Sequence, residues 1–371
     1  MCLVRMRRLE KFRLYLGLAL LGAVGSAYAT GQPYRLSDFQ TVAKFDAHVH
    51  ANTQDSALVD QARADGFELL SINVDYPDFP SLAIQAQIAK DFRAKDIAHF
   101  HYATTFSMQG WTQPGWANDV NAQLKAAVSD GAVAVKIWKN VGMVERDEKG
   151  QLLSIENPVF DPVIAEIEHL NIPLIAHQGE PHNCWLPLAQ MTTDNDRSYF
   201  AEHPHYHMYL HPEMPSYEAL MAARDRFLGR HPQLTFDGAH MASLEWDVDL
   251  LAHFLDTYPN AVVDMAARMT QLQYQSVRHY PRVRRFLLKY QDRILYGTDL
   301  TANPEDKPTQ VSRDAHSMWR SDWIYLATPA KQWVAPIHSQ VKGLALPRSV
   351  INKIYHDNAI RTFLQRPSPL K

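Results

Sequence analysis

Eight apolar runs, each followed by a helix-patterned stretch, constrain this chain more than any other feature. The runs cover 43–49, 67–74, 97–104, 132–138, 172–176, 234–239, 261–265 and 293–297. Segments such as VAVKIW, IPLIA and AVVDM are apolar almost throughout, which suits parallel strands covered on both faces. Helical patterns occupy 55–65, 81–94, 116–129, 157–169, 216–230, 243–258, 278–290 and 348–364. Boundary signals agree. Gly66 fits a helix C-terminus, Ser81 and Ser243 fit N-caps, and Pro158 fits a first turn, where a missing N–H is harmless. Strand and helix in alternation are βαβ units, and eight of them close into an α/β fold, the (β/α)8 TIM barrel, here one domain over 30–371. An open doubly wound sheet is the competitor, but no glycine-rich phosphate loop follows the first strand. Long loops follow strands 5 and 8, at 178–215 and 300–347. Both exceed ordinary βα turns and are expected to wall or cover the C-terminal face of the barrel.

The first 29 residues read as a separate object. Arg5, Arg7, Arg8, Lys11 and Arg13 precede an apolar run at 14–24, and Ala27-Tyr28-Ala29 follows. That is the layout of a secretory signal peptide, with an uncleaved anchor as the alternative; the apolar run is short for a bilayer span. The expectation is an exported, periplasmic protein with no stable membrane insertion after cleavage. Cys2 leaves with the signal and Cys184 remains alone, so neither an internal disulfide nor a cysteine metal cage is available. Net charge is −3 and no basic run follows residue 13, which argues against a nucleic-acid partner. A small-molecule substrate is the expected partner, and a homo-oligomer is compatible with the sequence.

The first strand ends in Asp46-Ala47-His48-Val49-His50. Residues two apart on a strand share a face, so His48 and His50 project together and can grip one cation. Other strand ends carry His177 (strand 5), His240 (strand 6) and Asp299 (strand 8). In barrels, catalytic groups gather at that rim. Three imidazoles and a carboxylate make a coordination sphere with room for water, leaving one imidazole for acid–base work.

The ordered set D-x-H-x-H, H-x-G-E-P, G-x-H and G-T-D resembles the amidohydrolase superfamily, in its amidohydrolase-related, aminocarboxymuconate-semialdehyde-decarboxylase-like branch. The resemblance covers the chain from Lys44 to the final helix. It implies that His48, His50, His177 and Asp299 are metal ligands, that Asp299 also moves a proton, and that His240 is catalytic or orients a ligand. It implies one divalent metal per chain, Zn2+ or else Mn2+. Lys136 shares a strand face with Ala134 and Trp138. It either binds a substrate acid group, reaches solvent, or forms the carbamate that bridges two ions in relatives. Glu180 either orients a histidine or caps its loop, and Arg268 either holds a substrate carboxylate or pairs on the surface. The histidines His203, His205, His207 and His211 are expected in a lid segment with mixed roles. The implied function is a metal-dependent hydrolase of an amide, ester or lactone. A metal-dependent non-oxidative decarboxylase is the alternative, and a non-catalytic exported binding protein is the third reading.

Overall fold

The computed structural model describes residues 31–365; the expected signal segment lies outside them. Strands β1 (Lys44–Ala51), β2 (Phe67–Ile72), β3 (Phe100–Thr105), β4 (Ala134–Ile137), β5 (Leu174–Ala176), β6 (Phe236–Gly238), β7 (Ala261–Asp264), β8 (Ile294–Leu295) and β9 (Leu300–Ala302) form one parallel sheet. Its order is β8-β7-β6-β5-β4-β3-β2-β1-β9. The sheet curls until its ends approach. Ala47 N on β1 donates to Tyr296 O, just past β8, at 2.9 Å, and Asp299 N donates to His48 O at 2.8 Å. The fold is α/β and TIM-barrel-like. Among the described residues no helix is long and apolar enough to cross a membrane.

Apolar residues fall into two layers. Phe45, Ala47, Ala134, Ile175, Val262 and Leu295 pack inside the curl. Val49, Leu69, Val135, Leu174 and Ile294 pack outward against the helices. Full burial of each large apolar side chain contributes about 1.5–3 kcal/mol.

Simple alternation along β1 would not place Phe45, Ala47, His48 and His50 on one face. The register explains how they share it: Asp46 pairs with Leu69, but Val49 pairs with Ser71, so Ala47 and His48 together stand opposite Leu70 alone. This bulge rotates the strand between Ala47 and His48 and turns both imidazoles inward. Asp46 faces out, where it accepts from Trp319 Nε1 at 2.8 Å, Thr298 Oγ1 at 2.6 Å and Thr298 N at 3.0 Å.

Four expectations need correction. The eighth strand is not continuous over 293–297; it stops at Leu295 and pairing resumes at Leu300. Gly297 sits so close to β1 that a Cβ there would meet His48 Cβ at 3.1 Å, and Asp299 has φ 71°. The helix after β6 starts at Val248 rather than Ser243. Its cap is Asp247, which accepts from Asp249 N at 2.8 Å. The helical stretch after β7 begins at Met269, ahead of the expected 278; it breaks at His279 (φ −143°, ψ 58°), and the second helix, with Pro281 in its first turn, runs to Lys289. The first turns of the stretch bury glutamines, Gln271 and Gln275 among them, so the apolar pattern begins late. Finally, the second long loop is not a plain loop. It contains the helix Pro308–Ala327 and the antiparallel hairpin β10 (Lys331–Val334)–β11 (Ser339–Lys342). Trp319 of that helix stacks on Phe67 at 4.6 Å, outside the sheet. The C-terminal segment instead reaches the inner layer, with Ala359 and Phe363 packed among Phe45 and Leu295.

Asp322 fastens the outer helix to the seam by accepting from Tyr296 OH at 2.9 Å. Burial pushes its carboxyl up to about 7 from 3.8, against the pull of that hydrogen bond. Below 3.8 the folded and unfolded chains both hold the proton. Between there and about 7 only the folded chain does, so this group's contribution falls as pH rises and is lost above about 7. Asp322→Asn should flatten that decline by on the order of 1 kcal/mol or more. Urea unfolding of both proteins across this range measures it, and equal slopes would exclude Asp322 as the source.

Candidate metal centre

His48 Nδ1 lies 2.7 Å from Asp264 Oδ2, His50 Nδ1 lies 2.8 Å from Ile72 O, and His240 Nδ1 lies 2.9 Å from Ala266 O. Each of these oxygens is an acceptor, so each Nδ1 carries the proton and, in a neutral ring, Nε2 is left with a lone pair. Burial lowers the proton affinity of His48 and, more strongly, of His177 and His240, which keeps those rings neutral.

The lone pairs face a carboxylate. Asp299 Oδ1 is 3.2 Å from His50 Nε2 and 3.5 Å from His48 Nε2. Donor atoms of His48, His240 and Asp299 all lie within 4.8 Å of one another. Burial alone would raise the Asp299 carboxyl; positive charge among His240, His50 and His48 holds the group far below the usual carboxylate range, and among neutral rings a bound cation would supply that charge. Lone pairs converging on an anion repel one another unless a cation lies among them. The ring of His177 touches that of His240, centroids 4.2 Å apart, and its Nε2 is buried without a hydrogen-bond partner. A divalent ion fits these donors: neutral imidazoles, one carboxylate and an unused buried nitrogen.

Asp264 ties the histidines together. Its Oδ2 takes the His48 proton contact, and its Oδ1 accepts from His240 N at 2.8 Å and Ala266 N at 3.0 Å. Burial opposes ionisation, but His48 holds the carboxyl down at about 2. The sequence reading missed Asp264. Its signal was present in AVVDM, where it falls two residues beyond Val262 and therefore on the inner face.

The turn after β6 is unusual. His240, Met241, Ala242 and Ser243 all have φ between 55° and 59°. L-residues in this conformation cost roughly 1–2 kcal/mol each. Bonds from outside offset the strain: Arg224 donates to Ala242 O, Tyr217 OH to Ser243 O at 2.5 Å, and Ser243 Oγ to Gly179 O at 3.1 Å. Position 238 must be glycine, because a Cβ there would come 2.6 Å from Ala242 Cβ. The reversed turn swings His240 back over the mouth of the sheet, beside His48 at 4.8 Å between centroids.

The amidohydrolase family model matches residues 45–364. This chain belongs to the amidohydrolase family. Solved structures similar to it include 2,6-dihydroxybenzoate decarboxylase from Rhizobium, at 16% identity and TM-score 0.47, covering 87% of this chain and 98% of that one. A lactonase from Listeria monocytogenes matches at 12% identity and TM-score 0.46, covering 88% and 96%. A 4-oxalomesaconate hydratase from Rhodopseudomonas palustris matches at 12% and 0.45, covering 86% and 95%. No curated protein sequence matches the chain.

The other candidates of this amidohydrolase separate by place. Lys136 is buried on the inner face of β4; its Nζ has no partner, and burial lowers its proton affinity. Asp237, on the inner face of β6, is buried with both oxygens unpartnered, and burial and then the Asp264 charge push its carboxyl well up. Glu180 does not join the histidines; it pairs with Lys139. That pair lines a cavity of about 440 Å³ together with Tyr76, Trp138, Tyr206 and Met214. A run of ring contacts connects the cavity to the centre, from His50 to Phe79 at 5.1 Å, on to Tyr76 at 5.0 Å and to Trp138 at 4.8 Å. The first long loop supplies one wall of this cavity through His205, Tyr206 and His211. Its histidines are used separately: His203, His207 and His211 each contact a backbone carbonyl at 2.8–3.0 Å. Arg268 is buried, not a surface residue.

Proposed function

We propose that this chain is a metal-dependent hydrolase that cleaves an amide, ester or lactone bond in a small molecule. The observation that carries this reading is the Asp299 carboxyl group facing the Nε2 atoms of His48 and His50, whose Nδ1 atoms are committed to Asp264 and to Ile72 O. His48, His50, His177 and Asp299 would hold one divalent ion, zinc or manganese, with His240 placed to join them. When bound, such an ion supplies Lewis acidity toward water and a carbonyl oxygen.

The chain's own groups do the rest. Asp299 has a side chain 33% exposed, so it opens toward incoming substrate. As an anion it accepts the proton of the attacking water and returns it to the leaving group. His240 offers a lone pair rather than a proton, because its N–H is committed to Ala266 O. That suits a ligand or a base and argues against a donor to the developing oxyanion. The cavity beside Trp138 and Tyr206 accommodates the apolar body of the substrate. Counting β8 and β9 as one interrupted strand completes a (β/α)8 barrel, with the reacting groups on its C-terminal rim.

Non-oxidative decarboxylation would use the same ligands. The experiment pairs elemental analysis of the purified protein with turnover of lactone, ester and aromatic-acid panels in 18O-labelled water. The expected result is one ion per chain and label in the product. Carbon dioxide release without label assigns the decarboxylase. Two ions per chain would give the unpartnered Lys136 Nζ a role as a bridging carbamate.

A further inference from the structure

We infer that Arg268, at the start of the helix that begins at Met269, is an anchor for a carboxylate of the substrate. This rests on the reading of the neighbouring histidines as the reactive centre.

The guanidinium is 7% exposed. Its Nε is buried without a partner, and its Nη1 donates only to the adjacent Ala267 O at 3.1 Å. It forms no ion pair within 4.0 Å among the described residues. Guanidinium stays charged in any protein environment, so this is a buried positive charge without a counter-ion. The segment leading into it borders the metal centre: Ala266 O faces His240 Nδ1 at 2.9 Å, and Ala267 N donates to Thr298 O, next to Asp299, at 3.1 Å. The acid whose charge Arg268 acts on most, Glu245, makes no ion pair with it: its Oε1 accepts from His182 N at 2.9 Å, its Oε2 is buried without a partner, and burial pushes its carboxyl up to about 7.

Two further features mark this position, and the first adds to the cost of keeping a cation here. Arg268 occupies the N-terminal cap of the helix that runs from Met269 to the break at His279, the positive end of its dipole. The preceding residue, Ala267, has φ 56°, a strained conformation for a side chain with a Cβ. A neutral residue would remove the desolvation and dipole penalties. A bound anion reverses both at once. The free edge, Nε with the second terminal nitrogen, matches the two oxygens of one carboxylate. A substrate carrying that group would be held by Arg268 on one side of the reactive centre, with its scissile carbonyl over the histidines.

The test compares wild type, Arg268→Gln and Arg268→Lys, each with its metal content measured. Isothermal titration uses acetate against acetamide and benzoate against benzamide, with methylphosphonate as a second anion. The wild type should prefer each carboxylate over its amide by about tenfold or more, the size expected of a charge-assisted hydrogen bond. Arg268→Gln should lose that preference at unchanged metal content, and Arg268→Lys should keep part of it. Without any ligand, Arg268→Gln should melt no lower than the wild type, whereas an arginine with a structural role would leave a destabilised variant. The inference is overturned if the wild type shows no preference, if Arg268→Gln retains it, if methylphosphonate binds and carboxylates do not, or if the ligand-free variant melts several degrees lower. Failure to bind metal would instead sink the hydrolase reading and leave the carboxylate titration standing.

Discussion

Asp299→Asn should fold normally and lower kcat by about 10²–10⁴-fold, the range for loss of a general acid–base group. The amide cannot take a proton from water, and it removes the negative charge that, with the lone pairs of His48 and His50, would hold a cation. The fold should survive for two reasons. Asparagine tolerates the left-handed φ of 71° found at this position. The seam bond from the residue 299 backbone N–H to His48 O does not involve the side chain. Far-UV circular dichroism with kcat measured on any hydrolysed ester or lactone checks both halves. A variant that keeps more than about a tenth of the wild-type rate would remove Asp299 as the proton acceptor.

Asp264→Asn should weaken metal binding by about 10–100-fold, the usual loss when a ligand's hydrogen-bond partner is removed. The argument is one of tautomers. The asparagine oxygen can keep the bonds from His240 N and Ala266 N, now made to Oδ1. Its NH2 group then faces His48 Nδ1, which must become an acceptor. The ring proton moves to Nε2, and the lone pair that faced Asp299 is gone. Volume and backbone bonds are preserved, so stability should change far less than affinity. Equilibrium dialysis with zinc separates the two effects. Unchanged affinity would mean that the His48–Asp264 contact does not set the tautomer.

The periodicity of apolar runs was enough to specify strand and helix alternation, because each strand is buried on both faces and each helix on one. It was also enough to place His48, His50, His177, His240 and Asp299 at strand ends. Family membership followed from the same residues in order. Other features had no local signal. The β1 bulge depends on how Val49 registers with Ser71 on another strand, and nothing in DAHVH announces it. The left-handed turn from His240 to Ser243 exists only because Arg224, Tyr217 and Gly179 hold it from outside. The serine that looked like a helix cap was drawn into that turn. The buried glutamines after Arg268 hid the first turns of their helix behind polar letters.

Residue order alone therefore determined which chemistry this chain can carry: imidazoles and a carboxylate recurring where strands finish, in a pattern set by local burial. Tertiary structure decided which nitrogen of each ring is free, since the partners that take the Nδ1 protons, Asp264, Ile72 O and Ala266 O, come from strands and loops distant in the chain. It also decided that Arg268 is buried without a counter-ion and that Glu180 belongs to Lys139 rather than to the histidines. The physical reason is common to all three. Proton position and charge pairing depend on distances of a few ångströms between segments far apart in sequence, and those distances exist only after the sheet has curled.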